Sequence, residues 1–157
     1  MFRSKSADRM AAAAALFCAL SLLAACAGGP DGPTPIVSAP ASIGPDALVG
    51  RWGLAAYHRD SDRPRTEAEA KRQCNNPYNI TRGPNGGLIM HLADVAEPQE
   101  LVLKGGPGGA NFLGLPGAAG APEDREVFAV SEKSFSVKWV NPDNASRYGM
   151  MIYVRCA

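Results

Sequence analysis

Apolar and polar side chains alternate along much of the chain after about residue 48. In Ser134–Val140, Phe135, Val137 and Trp139 fall on one face and polar side chains on the other. A period of two predicts a β-strand with one buried face. The same type of pattern recurs along the chain between turn-forming residues, so the dominant element is a short strand.

The pattern predicts about eight short strands, spaced fairly regularly. They are Val49–Tyr57, Tyr78–Arg82, Leu88–Leu92, Gln99–Lys104, Asn111–Leu115, Arg125–Val130, Ser134–Val140 and Tyr148–Cys156. Such spacing favours a mainly β fold, a small antiparallel barrel or sandwich. We expect Phe135, Val137, Trp139, Met150 and Ile152 to fill its interior, which leaves surface loops for interactions.

One segment has a helical signature. Residues 65–73, RTEAEAKRQ, predict a short polar helix with Thr66 and Glu69 as a capping box. We expect this helix to lie on the surface, across one mouth of a barrel or between its first two strands. The absence of an apolar stripe argues against a partner-binding helix.

Residues 105–122 are rich in Gly and Pro. They predict a long flexible connection around one short strand. A phosphate-binding loop would need a following helix and a Lys at fixed spacing, and both are absent from this stretch. Long loops are often functional, so this segment is a candidate binding surface.

The N-terminus predicts secretion. A basic segment with Arg3, Lys5 and Arg9 precedes an apolar run, Met10–Ala25, which is shorter than the roughly 20 residues of a membrane-spanning helix. The run ends at Cys26.

Leu23-Ala24-Ala25-Cys26 resembles the lipobox of bacterial lipoproteins. The resemblance implies that residues 1–25 are a signal peptide, that the Cys26 thiol receives diacylglycerol, and that its amino group is acylated, for example with palmitate. Two or three acyl chains anchor a protein stably to a membrane. The residue after the acylated Cys is Ala27. By resemblance to enterobacterial sorting rules, the absence of Asp at this position implies the outer membrane, with the protein facing the periplasm. An ordinary signal peptide with a chance Cys is the alternative.

A Pro- and Gly-rich stretch follows the lipobox. We interpret residues 26–45 as the lipidated Cys and a disordered tether, and residues 46–157 as one β domain. The whole chain has a formal net charge of +1, and its basic residues are scattered. The composition therefore does not suit a nucleic-acid partner.

The chain has four Cys. Cys18 leaves with the signal peptide and Cys26 carries lipid, so Cys74 and Cys156 remain, and in an oxidising compartment we expect a disulfide between them. Together with two His they offer too few ligands for a convincing zinc site.

Gly50-Arg51-Trp52 and the late Arg155 resemble the calycin signature, in which an Arg from the last barrel strand packs over a Gly-x-Trp tryptophan at the closed end. The resemblance implies a barrel related to lipocalins, avidins or small periplasmic protease inhibitors. Alternatively, Trp52 is an ordinary core aromatic and Arg155 a surface charge. The chain also resembles uncharacterised alphaproteobacterial lipoproteins, a likeness that implies no activity.

Catalytic motifs are absent. His58 lies near Asp60 and Asp62, a spacing commoner in a charged connection than in a metal site, and His91 and Asp94 would face opposite sides of a strand. We therefore expect no enzyme activity, no metal and no cofactor. Two classes of function remain. One is a binding module whose loops or interior engage a small apolar ligand or a protein, such as an envelope protein or a secreted protease. The other is a structural or assembly component of the cell envelope.

Overall fold

The computed structural model describes residues 38–157. The expected signal peptide, the lipidated Cys26 and the first part of the tether lie outside the described residues. The strands are β1 Gly50–Tyr57, β2 Tyr78–Arg82, β3 Leu88–Met90, β4 Gln99–Gly105, β5 Asn111–Gly114, β6 Arg125–Phe128, β7 Ser134–Trp139 and β8 Met150–Arg155. The α-helices are α1 Arg63–Arg72 and α2 Pro142–Tyr148.

The eight strands form one closed antiparallel barrel in chain order. Strand β1 closes it by pairing with β8, in a register that sets Trp52 opposite Arg155 and Tyr57 opposite Met150. The prediction of a small barrel or sandwich is confirmed as a barrel, and closure leaves no open sheet edge. Predicted and observed strands differ mainly by one or two residues at their ends.

The barrel interior is filled by large apolar side chains from all eight strands. Its buried residues are Leu48, Trp52, Ile80, Leu88, Met90, Leu101, Leu113, Val127, Phe135, Val137 and Tyr153. The expectation that Met150 and Ile152 would join them is wrong. In β8 it is Tyr153 and Met151 that face inward, whereas Ile152 and Met150 lie in a second cluster outside the barrel wall.

Helix α1 forms that second cluster by packing on the outer face of β1 and β8. Ala70 is fully buried there with Ile152, and Gly53 allows the close approach, because a Cβ at this position would lie 1.8 Å from the Ala70 carbonyl oxygen. The helix follows β1 in the chain, as expected, but covers the wall rather than a mouth. A disulfide between Cys74, just after α1, and Cys156 joins the helix to the end of β8.

The predicted capping box of α1 is wrong. The helix begins at Arg63 with Pro64 in its first turn, so Thr66 lies inside it, and its hydroxyl donates to the Asp62 carbonyl 2.9 Å away. Glu69 accepts instead from Gln73 and Arg72 on the following turn.

Helix α2 was not predicted. Asn141 caps it, since its side-chain oxygen accepts from the backbone N–H of Asp143 and Asn144, and Pro142 occupies the first turn. Both features are standard start signals for a helix. Tyr148, expected in the last strand, ends this helix.

The expected tether is too long at its C-terminal end. From Ser38 onward the chain lies against the barrel: the Gly105 N–H donates to the Ala39 carbonyl at 2.7 Å, and the Ser42 N–H donates to Asn111 Oδ1 at 2.8 Å. Among residues 38–157, neither helix has the length and apolar character needed to cross a membrane.

Candidate binding site

The two ends of the barrel differ in the length of their connections. At one end, which we call the plugged end, β1 begins and the hairpins turn within residues 83–87, 106–110 and 129–133. At the other end, the mouth, the connections span residues 58–77, 91–98, 115–124 and 140–149. Long loops on a rigid scaffold are the usual location of binding residues.

Trp52 and Arg155 close the plugged end. Trp52 is fully buried, and its Nε1–H donates to the Leu48 carbonyl at 2.9 Å. The guanidinium carbon of Arg155 lies 4.1 Å from the centre of the Trp52 ring system. Such stacking combines dispersion with attraction between the cation and the ring face.

All three guanidinium nitrogens of Arg155 are also satisfied. They donate to the carbonyls of Glu132, Val49 and Ala47 at 2.8, 3.1 and 3.0 Å. A Cβ at Gly50 would lie 2.6 Å from one of these nitrogens. The structure thus brings Gly50, Trp52 and Arg155 together as one structural plug.

A second arginine and tryptophan meet at the mouth. Arg125 at the start of β6 is 2% exposed, and its guanidinium carbon lies 5.0 Å from the ring centre of Trp139, its cross-strand partner in β7. Arg125 Nε and Nη2 and Trp139 Nε1 are buried without a hydrogen-bond partner within the described part of the chain. Sequence analysis did not single out Arg125, although it lies on the same strand face as Val127.

Two tyrosines face the Arg125 guanidinium. Burial raises the pKa of Tyr153 to about 12 against the opposing effect of the Arg125 charge. Burial also raises the pKa of Tyr78, whose hydroxyl accepts from the His91 N–H at 2.9 Å. Both phenols are therefore neutral at physiological pH, and no ion pair among residues 38–157 includes Arg125.

Asp94 connects two mouth loops. Its carboxylate accepts two hydrogen bonds from Arg147 Nη1, at 2.9 and 2.8 Å, and one from the Tyr148 hydroxyl. The Tyr148 hydrogen bond and the Arg147 charge hold the pKa of Asp94 below its usual value. Tyr148 in turn lies 5.6 Å from Trp139, ring centre to ring centre. We call Asp94, Arg147 and Tyr148 the latch.

The Gly- and Pro-rich connection is held by a buried ion pair. Lys104 Nζ lies 2.7 Å from Asp124 Oδ1, and the two side chains are 3% and 1% exposed. Lys104 also donates to two carbonyls of the loop, while the second Asp124 oxygen accepts from the N–H groups of Gly120 and Ala121. The expectation of a loose connection missed this pair, since nothing in the spacing indicated it.

Surface grooves lie elsewhere. An open groove of 560 Å³ runs between α1 and the 129–133 turn at the plugged end, with Lys71, Lys133 and Glu67 among its lining residues. Another of 450 Å³ separates residues 40–45 from the 85–87 turn. Charges of both signs line the first groove, and no charged residue lines the second, so neither groove favours a ligand of one particular charge.

The other candidate residues carry structural contacts. Asp62 binds Arg59 and Arg65 at the start of α1 rather than pairing with His58. His91 and Asp94 lie in the loop after β3 and contact different residues. Among residues 38–157, no three His, Cys, Asp or Glu side chains are grouped so that they could hold a metal ion.

The fold and the plug define a class by geometry: a closed eight-stranded antiparallel barrel with one end sealed by stacked Arg and Trp side chains and the opposite end surrounded by loops. No family model, curated protein or solved structure matches the chain.

Proposed function

We propose that this protein is a lipid-anchored, non-enzymatic binding module of a bacterial cell envelope, with the mouth as its binding end. The lipobox-like sequence ending at Cys26 supports the anchor. The observation that carries the binding role is the contrast between the ends of the barrel. Every nitrogen of Arg155 at the plugged end is bonded, whereas three buried donors at the mouth have no partner within residues 38–157.

The filled interior limits what the module takes. Eleven buried core residues occupy the space that a large apolar ligand needs in a ligand-carrying barrel. A ligand or partner therefore engages the loops and the outermost interior side chains.

The anchor is tested by labelling cells with radioactive palmitate and comparing the protein with its Cys26→Ser variant. We expect the label and the membrane fraction to be lost together in the variant. A Cys26→Ser product that still partitions with membranes would contradict lipid anchoring.

The binding end is tested by site-specific photo-cross-linking in intact envelopes. A benzophenone amino acid replaces Ala96, an exposed residue of the 91–98 mouth loop, or Lys133, exposed at the plugged end as the matched control. We expect an adduct from position 96 and none from position 133. The reverse result would assign binding to the plugged end.

The mass of the adduct also separates the functional classes. A secreted protease indicates inhibition, a component of an envelope assembly indicates a structural role, and a small mass increment indicates a soluble ligand. Absence of any adduct from several mouth positions would contradict a binding module.

A further inference from the structure

Arg125 is a buried cation without a counter-ion in the part of the chain that the structure describes. Among the buried charged residues of the described chain, Lys104 and Asp124 form a pair, which leaves Arg125 alone. The neighbouring Glu126 does not compensate it, because it pairs with Lys138 at 2.9 Å. Burying an isolated charge is unfavourable, and proteins compensate it with a paired charge or hydrogen bonds.

The unpaired atoms are all donors and lie in one place. Arg125 Nε, Arg125 Nη2 and Trp139 Nε1 are three of the four buried side-chain polar atoms without a partner in residues 38–157. The fourth, Ser136 Oγ, belongs to the alternate face of β7, away from Trp139. A cluster of donors around one positive charge selects an anion rather than a neutral ligand.

The free edge of the guanidinium indicates the shape of that anion. Nε–H and the adjacent Nη2–H point in parallel along one edge, which matches the two oxygens of a carboxylate. The single positive charge is balanced by one negative charge, whereas a dianion such as sulfate would leave an excess charge buried. Trp139 and Tyr148 add aromatic faces beside the edge.

We propose that Arg125 and Trp139 form the head-group site for a small monocarboxylate at the mouth of the barrel, with the Tyr153 hydroxyl beside the guanidinium. The latch lies over the approach, because Tyr148 packs on Trp139 and is held by Asp94. The buried core residues below fill the interior, so the ligand we propose is short or ring-sized rather than a long chain. This inference rests on the proposed function only in taking the mouth as the binding end.

The protein contains two tryptophans, one at each end of the barrel, so their indole N–H signals can be compared in one spectrum. In a ¹⁵N–¹H spectrum of the full-length lipidated protein in detergent micelles, the indole N–H of Trp139 reports the site. The indole N–H of Trp52, bonded to Leu48, reports the plugged end. The probe is sodium benzoate; sodium sulfate at equal ionic strength and neutral benzyl alcohol are the controls.

We expect benzoate to shift the Trp139 indole and Arg125 Nε–H signals saturably while the Trp52 signal stays in place. Equal shifts with sulfate would overturn the preference for a monocarboxylate, and equal shifts with benzyl alcohol would overturn the role of charge. An unresponsive Trp139 signal would overturn the site.

Variants test the residue assignment. Arg125→Lys keeps the charge but removes the two-donor edge, so the Kd should rise at least about tenfold. Arg125→Met should abolish the saturable shift, and Arg82→Met, at the plugged end, should leave the Kd unchanged. The Trp52 signal shows in each case whether the variant is folded. Benzoate binding that survives Arg125→Met in a folded protein would refute the proposal.

The experiment separates this inference from the proposed function. If benzoate does not shift the Trp139 signal while position 96 still forms a cross-link, the mouth remains the binding end and the carboxylate site is wrong. If benzoate binds while cross-links form only at position 133, the head-group site stands and the assignment of the partner-binding end is wrong.

Discussion

The buried pair Lys104–Asp124 makes a strong prediction about stability. Lys104→Met removes the cation and leaves the Asp124 carboxylate, 1% exposed, with only its two backbone donors. It also removes the donor from the carbonyls of Leu115 and Ala118. Breaking a buried pair by deleting one partner costs about 3–5 kcal/mol.

That loss is a large share of the free energy of unfolding of such a domain, which at about 0.05–0.15 kcal/mol per residue amounts to about 6–18 kcal/mol. The midpoint of thermal unfolding should fall by about 10–20 °C. Urea unfolding followed by near-UV circular dichroism measures the change. Amide exchange at Gly120 and Ala121 should accelerate, because these N–H groups depend on the position of Asp124.

The matched control is the exposed cross-strand pair Glu126–Lys138, whose atoms lie 2.9 Å apart with side chains 28% and 52% exposed. Glu126→Gln should cost less than about 1 kcal/mol, because solvent screens the pair. If Lys104→Met costs no more than Glu126→Gln, the buried pair does not organise the 115–124 loop and the reasoning fails.

Three further predictions concern the wall, the disulfide and the latch. Gly53→Ala sets a methyl against the Ala70 carbonyl and should cost about 1–3 kcal/mol or more in urea unfolding, against less than about 0.5 kcal/mol for Gly44→Ala, which has open space; equal effects would contradict the close packing of α1. Reduction of the disulfide, which spans 82 positions, should lower stability by about 4–5 kcal/mol, and an unchanged melting temperature in dithiothreitol would contradict this. Because the Tyr148 hydrogen bond lowers the pKa of Asp94 below 3.8, the latch is intact above pH 3.8 and is lost as pH falls through the lower folded-state value; amide exchange in residues 91–98 should rise there, and not in Asp94→Asn.

The strands were predictable because a half-buried strand has a period of two that no other element shares. The face of β8 that turns inward was not. Both faces of this strand are apolar, with Ile152 and Val154 on one and Met151 and Tyr153 on the other. The alternation therefore does not indicate which face lies inside the barrel. Pairing of Trp52 with Arg155 across β1 and β8 fixes the register, and α1 covers the remaining apolar face.

Local signals were weaker where tertiary contacts decide the structure. Helix α2 is too short for an apolar period, and the Asn141-Pro142 start signal alone did not distinguish it from a turn. The 115–124 loop is rich in flexible residues, yet two charges twenty positions apart hold it in place. Separations of that length cannot be read from one sequence without knowing which strands are neighbours.

The two arginine–tryptophan pairs differ in how fully their side-chain nitrogens are hydrogen-bonded. Arg155 stacks on Trp52 and satisfies each nitrogen with a carbonyl, so it needs nothing further. Arg125 stacks on Trp139 at the opposite end, deeper and less bonded. Since Arg125 shares an inward strand face with Val127, its charge at an interior position was visible in the alternation itself. An uncompensated charge at such a position costs stability, and the carboxylate site proposed above would account for that cost.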